Sequence, residues 1–118
     1  MPRGLRSLKS AKKDLDALCR QVVFARDKIC QHCGKTSNLQ WAHIRSRRYL
    51  STRWHLCNSL CLCAGCHLWW HHEPLEATEW FRTKFRERAQ VLRVIEPRKA
   101  DAILTRLYLE QQLVEFGG

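Results

Sequence analysis

Two Cys-x2-Cys pairs, Cys30/Cys33 and Cys63/Cys66, stand 29 residues apart in this chain. Doubled spacing of this kind suits a tetrahedral zinc ion, which takes four thiolates and closes a structural site. Gly34 and Gly65 lie beside the pairs, and this weighs against four ordinary buried thiols. Such an ion would pin together two segments that a small hydrophobic core holds weakly. Between and just beyond the pairs lie His43, Asn58, His67 and His71. Asn58 follows His43 by 15 residues, His67 follows Asn58 by nine, and His71 follows His67 by four. Residues four apart on a helix share a face, so His67 and His71 can direct their imidazoles at one ion. The set is suited to abstracting a proton and holding a second metal.

The charge pattern directs the same region at a polyanion. Lys and Arg outnumber Asp and Glu by 21 to 11, a formal net charge of +10, which draws a small domain toward phosphate. From Lys28 through His72 there is no carboxylate, yet the window holds Lys28, Lys35, four arginines and all six histidines. From Glu73 onward, acids and bases balance at eight each. Arg45, Arg47, Arg48 and Arg53 follow His43 and are expected to contact the phosphates of a polyanionic partner. A solvated basic face is the plain alternative. Seven cysteines, four at metal spacing, fit a reducing compartment better than a disulfide framework. No stretch approaches a membrane span and the basic N-terminus leads into no apolar signal region, so a cytoplasmic protein is expected.

Ordinary elements would position these groups. Residues 1–9 read as a flexible basic arm and 10–118 as a single domain, with a core at about 28–73 and C-terminal helices at about 74–116. Ser10 is placed to cap a helix running to about Asp27 or Lys28, with Leu15, Leu18, Cys19, Val22 and Val23 inward. Cys30 to Gly34 forms a knuckle in which Gly34 can turn left-handed. Leu39–Ile44 and Ser59–Leu62 read as the strands of a hairpin around an Arg-rich loop. A helix from about Ala64 carries His67 and His71 and ends by Glu73, because Pro74 disfavours helical geometry before it. Pro74 opens a helix to about Ala89, with Trp80, Phe81 and Phe85 partly buried. Pro97 opens a last helix to about Val114, with Ala100, Ile103, Leu104, Leu107 and Leu113 as its inner face. The expected fold class is α+β. Cys19, Cys57 and Cys61 read as core thiols, and His32 and His55 as surface or phosphate-contacting groups.

The run Cys30-Gln-His-Cys33-Gly34, then Trp41-Ala42-His43-Ile44, then Asn58-Ser-Leu-Cys-Leu-Cys63-Ala-Gly-Cys66-His67 resembles the HNH nuclease family, most of all its small bacteriophage and prophage members. The resemblance implies a zinc-stabilised ββα-metal core, a hairpin plus a helix, flanked by N-terminal and C-terminal helices. It implies that His43 is the general base that activates water against a phosphodiester of DNA, in the first instance double-stranded. Asn58 would orient His43 or help hold the metal. His67, with His71, would ligate a catalytic divalent ion (Mn²⁺, Ni²⁺, Co²⁺ or Mg²⁺), and cleavage would leave 5′-phosphate ends. If the chain is phage-encoded, its place is the bacterial host cytosol. There is one departure: many members carry Asp or His just before the base, and this chain carries Ala42. An imidazole-rich site without a carboxylate favours Mn²⁺, Ni²⁺ or Co²⁺ over Mg²⁺.

The expected function is therefore a metal-dependent endonuclease of low intrinsic sequence specificity, acting by nicking or double-strand cleavage. The alternatives are a non-catalytic zinc-stabilised DNA-binding module, and a recombination or packaging accessory that docks on phage terminase or recombination proteins.

Overall fold

The computed structural model describes residues 8–95 and 101–117. Among them the chain is α+β, with six α-helices and one two-stranded antiparallel hairpin. The order is α1 (Leu8–Asp27), β1 (Leu39–His43), α2 (Leu50–Arg53), a 3-10 turn (Leu56–Asn58), β2 (Ser59–Cys63), α3 (Ala64–His72), α4 (Pro74–Lys84), α5 (Arg86–Val94) and α6 (Ala102–Glu115). The arm expected at 1–9 falls outside the described residues except for Leu8 and Lys9, which already belong to α1. Ser10 therefore lies inside the helix and does not cap it. No helix among the described residues is long and apolar enough to cross a membrane.

Leu15, Cys19, Val22 and Val23 recur at the helical period, and all four are buried. Lys28 ends α1 by turning left-handed at φ 66°, with its N–H on the Phe24 carbonyl at 2.9 Å. The next link is polar. Asp27 accepts from Arg26 Nε at 2.7 Å and from the Cys61 N–H at 2.9 Å. Arg26 also donates to the carbonyls of Leu56 and Ser59, both at 2.7 Å. This buried pair welds the end of α1 to β2.

The hairpin pairs Leu39 with Cys63, Trp41 with Cys61 and His43 with Ser59. All five residues of β2 are buried, because it runs between two helical layers. Leu60 and Leu62 face Ala42, Trp70, Phe81 and Leu92. Cys61 faces the other way, toward Leu15, Cys19, Val22 and Leu109. Strand alternation sends successive side chains to opposite faces, so one short strand feeds both cores. Each fully buried aliphatic side chain there stabilises the fold by roughly 1.5–3 kcal/mol.

Two expectations are corrected. The helix expected from Pro74 to Ala89 breaks at Phe85 (φ −120°, ψ 56°) and resumes as α5. No Gly or Pro causes this; the bend accompanies packing of Phe85 against Trp80 and Phe81, with ring centroids at 5.8 and 5.4 Å, and burial of Leu92. The last helix starts at Ala102, capped by Asp101 Oδ1 on the Leu104 N–H at 3.0 Å, and Pro97 and Ala100 lie outside the described residues. Its inner face is Leu109, Leu113 and Phe116 against α1. Of the residues expected inward, Ile103, Leu104 and Leu107 are exposed.

Candidate functional site

Cys30 and Cys33 sit on the knuckle after α1, Cys63 ends β2 and Cys66 lies in the first turn of α3. Gly34 takes φ 82°, and its N–H returns to the Cys30 carbonyl at 2.9 Å. The four sulfurs all lie within 4.8 Å of one another, with Cys33 and Cys63 at 3.7 Å. Zn–S bonds of about 2.3 Å in a tetrahedron set sulfurs about 3.8 Å apart, so the cluster can hold a structural metal such as zinc. The Cys33 N–H points at Cys30 Sγ and the Cys66 N–H at Cys63 Sγ, each at 3.5 Å. Burial works to raise the Cys30 pKa, but donated backbone N–H groups outweigh it and draw it down to about 6. Burial pushes Cys66 the other way, together with hydrogen bonding among the sulfurs. Four thiolates this close need a cation among them. His32, exposed, sets Nδ1 at 3.2 Å from Cys66 Sγ and stacks on Trp69 at 4.1 Å.

A second locus lies between the end of β1, α3 and the start of α4. A cleft of about 570 Å³ is lined by His43, His67 and His71, together with Trp41, Arg47, Trp70 and Thr78. Three of the four polar residues singled out from the sequence thus converge on one cavity. His43 is fixed from two sides. Its Nε2–H donates to the Arg53 carbonyl at 3.1 Å, and its own carbonyl accepts from Trp70 Nε1 on α3 at 3.0 Å. With Nε2 carrying the proton, Nδ1 is the ring atom left as acceptor. Burial lowers the His43 pKa to about 4, with the nearby Arg47 and Arg53 charges adding to it against the Arg53 carbonyl bond. The imidazole is therefore neutral at pH 7.

His67 and His71 occupy one face of α3, with their Nε2 atoms 3.2 Å apart. Metal–nitrogen bonds of about 2.05 Å would subtend about 103° across that separation, so the pair fits one ion. His67 Nδ1–H donates to Gln40 Oε1 at 2.7 Å. That bond fixes the tautomer and leaves His67 Nε2 as an acceptor facing His71 Nε2. Burial, and then His71, lower the His67 pKa, which keeps the ring in its ligating form. Gln40 was not singled out in the sequence. It pairs with Leu62 as Ala42 pairs with Leu60, so it shares the α3-facing side of β1 with Ala42. Strand alternation was the signal that could have found it.

Asn58 is fully buried, at 0% exposure, and does not line the cleft. Its Oδ1 accepts from the Arg45 N–H at 2.7 Å, and Nδ2 donates to the Arg45 and Thr52 carbonyls at 3.2 and 3.0 Å. It closes the loop that carries the Arg53 carbonyl onto His43. The four arginines divide. Arg45 reaches away from the cleft to the carbonyls of Leu92 and Ile95 at the end of α5. Arg53 is held by Asp16 at 2.6 and 2.9 Å, which also accepts from Trp54 Nε1 at 2.8 Å. Arg47 also reaches Asp16, at 2.8 Å, but its side chain is 57% exposed and borders the cleft. Arg48 is exposed beside Tyr49. His55, expected at the surface, is half-buried and accepts from the Cys57 N–H at 3.1 Å.

Comparison of the chain with protein families, with curated proteins and with solved structures found no match in any of the three.

Proposed function

We propose that this protein is a metal-dependent endonuclease of the HNH type, built on a ββα-metal core and hydrolysing DNA phosphodiester bonds. The observation that carries the reading is one cleft lined by a neutral, oriented His43 and by two imidazole nitrogens 3.2 Å apart. A base has to be uncharged at working pH and aimed at the proton it takes. The low His43 pKa meets the first need, and the Nε2–H bond to Arg53 meets the second by leaving Nδ1 as acceptor. Water attacks phosphorus, its proton passes to Nδ1, and the bond from phosphorus to the 3′ oxygen breaks, leaving a 5′-phosphate end. A divalent ion bound by His67 and His71 would offset charge on the phosphate and the departing oxygen. Arg47 and Arg48, with the expected basic arm, contact neighbouring phosphates, so affinity falls with salt and sequence specificity is low.

The ligand set bears on the choice of ion. Ala42 is buried against Leu60, Leu62 and Trp70 and offers no donor, and Gln40 supports His67 from the same side of the strand. Two imidazoles with solvent and phosphate completing the shell favour Mn²⁺, Ni²⁺ or Co²⁺ over Mg²⁺. Relaxation of supercoiled plasmid across these metals tests the reading, and Mg²⁺ clearly best would count against this ligand set. Ala42 also supports the rival, a zinc-stabilised DNA-binding module without catalysis, which predicts binding and no nicking in any metal.

A further inference from the structure

We propose that the outer face of α6 is a homodimer interface on which a second copy of this chain docks by two-fold symmetry. Alpha-6 is apolar on two sides. Leu109, at 0% exposure, packs inward with Leu113 and Phe116. On the outward side Ile103, Leu104, Leu107, Tyr108 and Val114 are 70, 65, 59, 49 and 77% exposed. Large apolar side chains exposed on a helix face opposite its packed face mark a surface that meets a partner. These five side chains expose roughly 600 Å², as large as the biggest patch on a typical monomer and the mark of an interaction site.

Three observations favour a second copy as the occupant. First, two such faces together remove on the order of 1,200 Å² from water, which reaches the lower bound for a specific stable interface. Second, the surface has the self-complementarity that an isologous contact needs. The ridge of Ile103, Leu107 and Val114 runs beside a groove of about 320 Å³ lined by Leu50, Trp54, Leu104 and Tyr108, with Ser51, His55 and Thr105 as its polar members. Third, the charge permits it. In a chain of net charge +10, residues 101–117 carry Asp101, Glu110 and Glu115 against Arg106 alone, so two copies can meet here without opposing their basic surfaces. Antiparallel α6 helices set Ile103 of one copy near Val114 of the other. They also set Arg106 near the other copy's Glu110, extending the Arg106–Glu110 pair at 3.7 Å within each.

The test is the solution mass of the full zinc-loaded chain by light scattering, which does not depend on nuclease activity. The expected mass is twice 14.0 kDa at about 100 µM, falling toward the single-chain value on dilution as mass action requires. Leu107→Glu and Val114→Lys, at positions exposed in the single chain, should each give the single-chain mass with unchanged zinc content and circular dichroism. A wild-type protein that stays at the single-chain mass at about 100 µM overturns the proposal. So do folded variants that keep the doubled mass.

Discussion

Replacing Asn58 separates the loop clamp described by its hydrogen bonds from the metal-holding role that the HNH resemblance gives beside orienting His43. The side chain is fully buried and joins Arg45 N–H, Arg45 C=O and Thr52 C=O at 2.7, 3.2 and 3.0 Å. Asn58→Ala leaves all three groups without that partner. At about 1 kcal/mol net for each bond the cost is about 3 kcal/mol, or roughly 10 °C in melting temperature for a domain of this size. Asn58→Asp is nearly isosteric but should be worse. One carboxylate oxygen keeps the Arg45 N–H, while the other turns a buried charge toward two carbonyls, at a cost of roughly 4–5 kcal/mol. Protonation restores a donor there, so the pKa of the introduced carboxyl is raised in the folded state. The folded chain then binds more protons than the unfolded one, so stability rises as pH falls and the deficit shrinks from pH 7 to pH 5. Urea unfolding at both pH values, with zinc held constant, measures this ranking. Were Asn58 a metal ligand, Asp would be the better ligand. Near-native stability with tighter Mn²⁺ binding in Asn58→Asp would refute the clamp.

Three further outcomes are expected. With the His43 pKa moved from 6.5 to about 4, the acid limb of cleavage should be centred near pH 4. The neutral form is the one the fold favours, so its contribution is full above pH 6.5 and is lost as pH falls toward 4, at most roughly 3 kcal/mol; a limb centred at 6.5 contradicts the burial argument. Purified protein should carry one zinc per chain, and Cys63→Ser should lose both the metal and cooperative unfolding, as elemental analysis and calorimetry would report. Gln40→Leu should weaken Co²⁺ binding by about 10- to 100-fold while Gln40→Glu keeps it; equal affinities by titration of Co²⁺ absorbance would remove Gln40 from the site.

The four-cysteine cluster and the hairpin were legible because their signals are local. Doubled Cys-x2-Cys spacing and apolar runs bounded by turns do not need the tertiary fold to be read. The fates of the arginines were not legible. Arg53 is claimed by Asp16 from 37 positions away, and Arg45 by helix-end carbonyls that leave no mark in sequence. The break at Phe85 accompanies ring packing of the half-buried Phe85 and burial of Leu92, and not any helix-breaking residue. Of the inner face expected for α6, Leu113 does pack inward while Ile103, Leu104 and Leu107 are exposed, because both faces carry large apolar side chains and periodicity alone cannot say which one meets α1. Asn58 was expected to orient His43 or hold the metal; three buried hydrogen bonds fasten it to the loop that orients His43.

Whether His43 is the base of a DNA-cleaving site is decided by comparing wild type and His43→Ala on supercoiled plasmid with Mn²⁺, Ni²⁺ or Co²⁺. Zinc content and DNA affinity are matched beforehand. A catalytic His43 predicts nicked or linear product with wild type, and a rate lower by at least about 100-fold in the variant, the scale of general-base catalysis. Equal rates for the two proteins, or DNA binding with no cleavage in any metal, would contradict it.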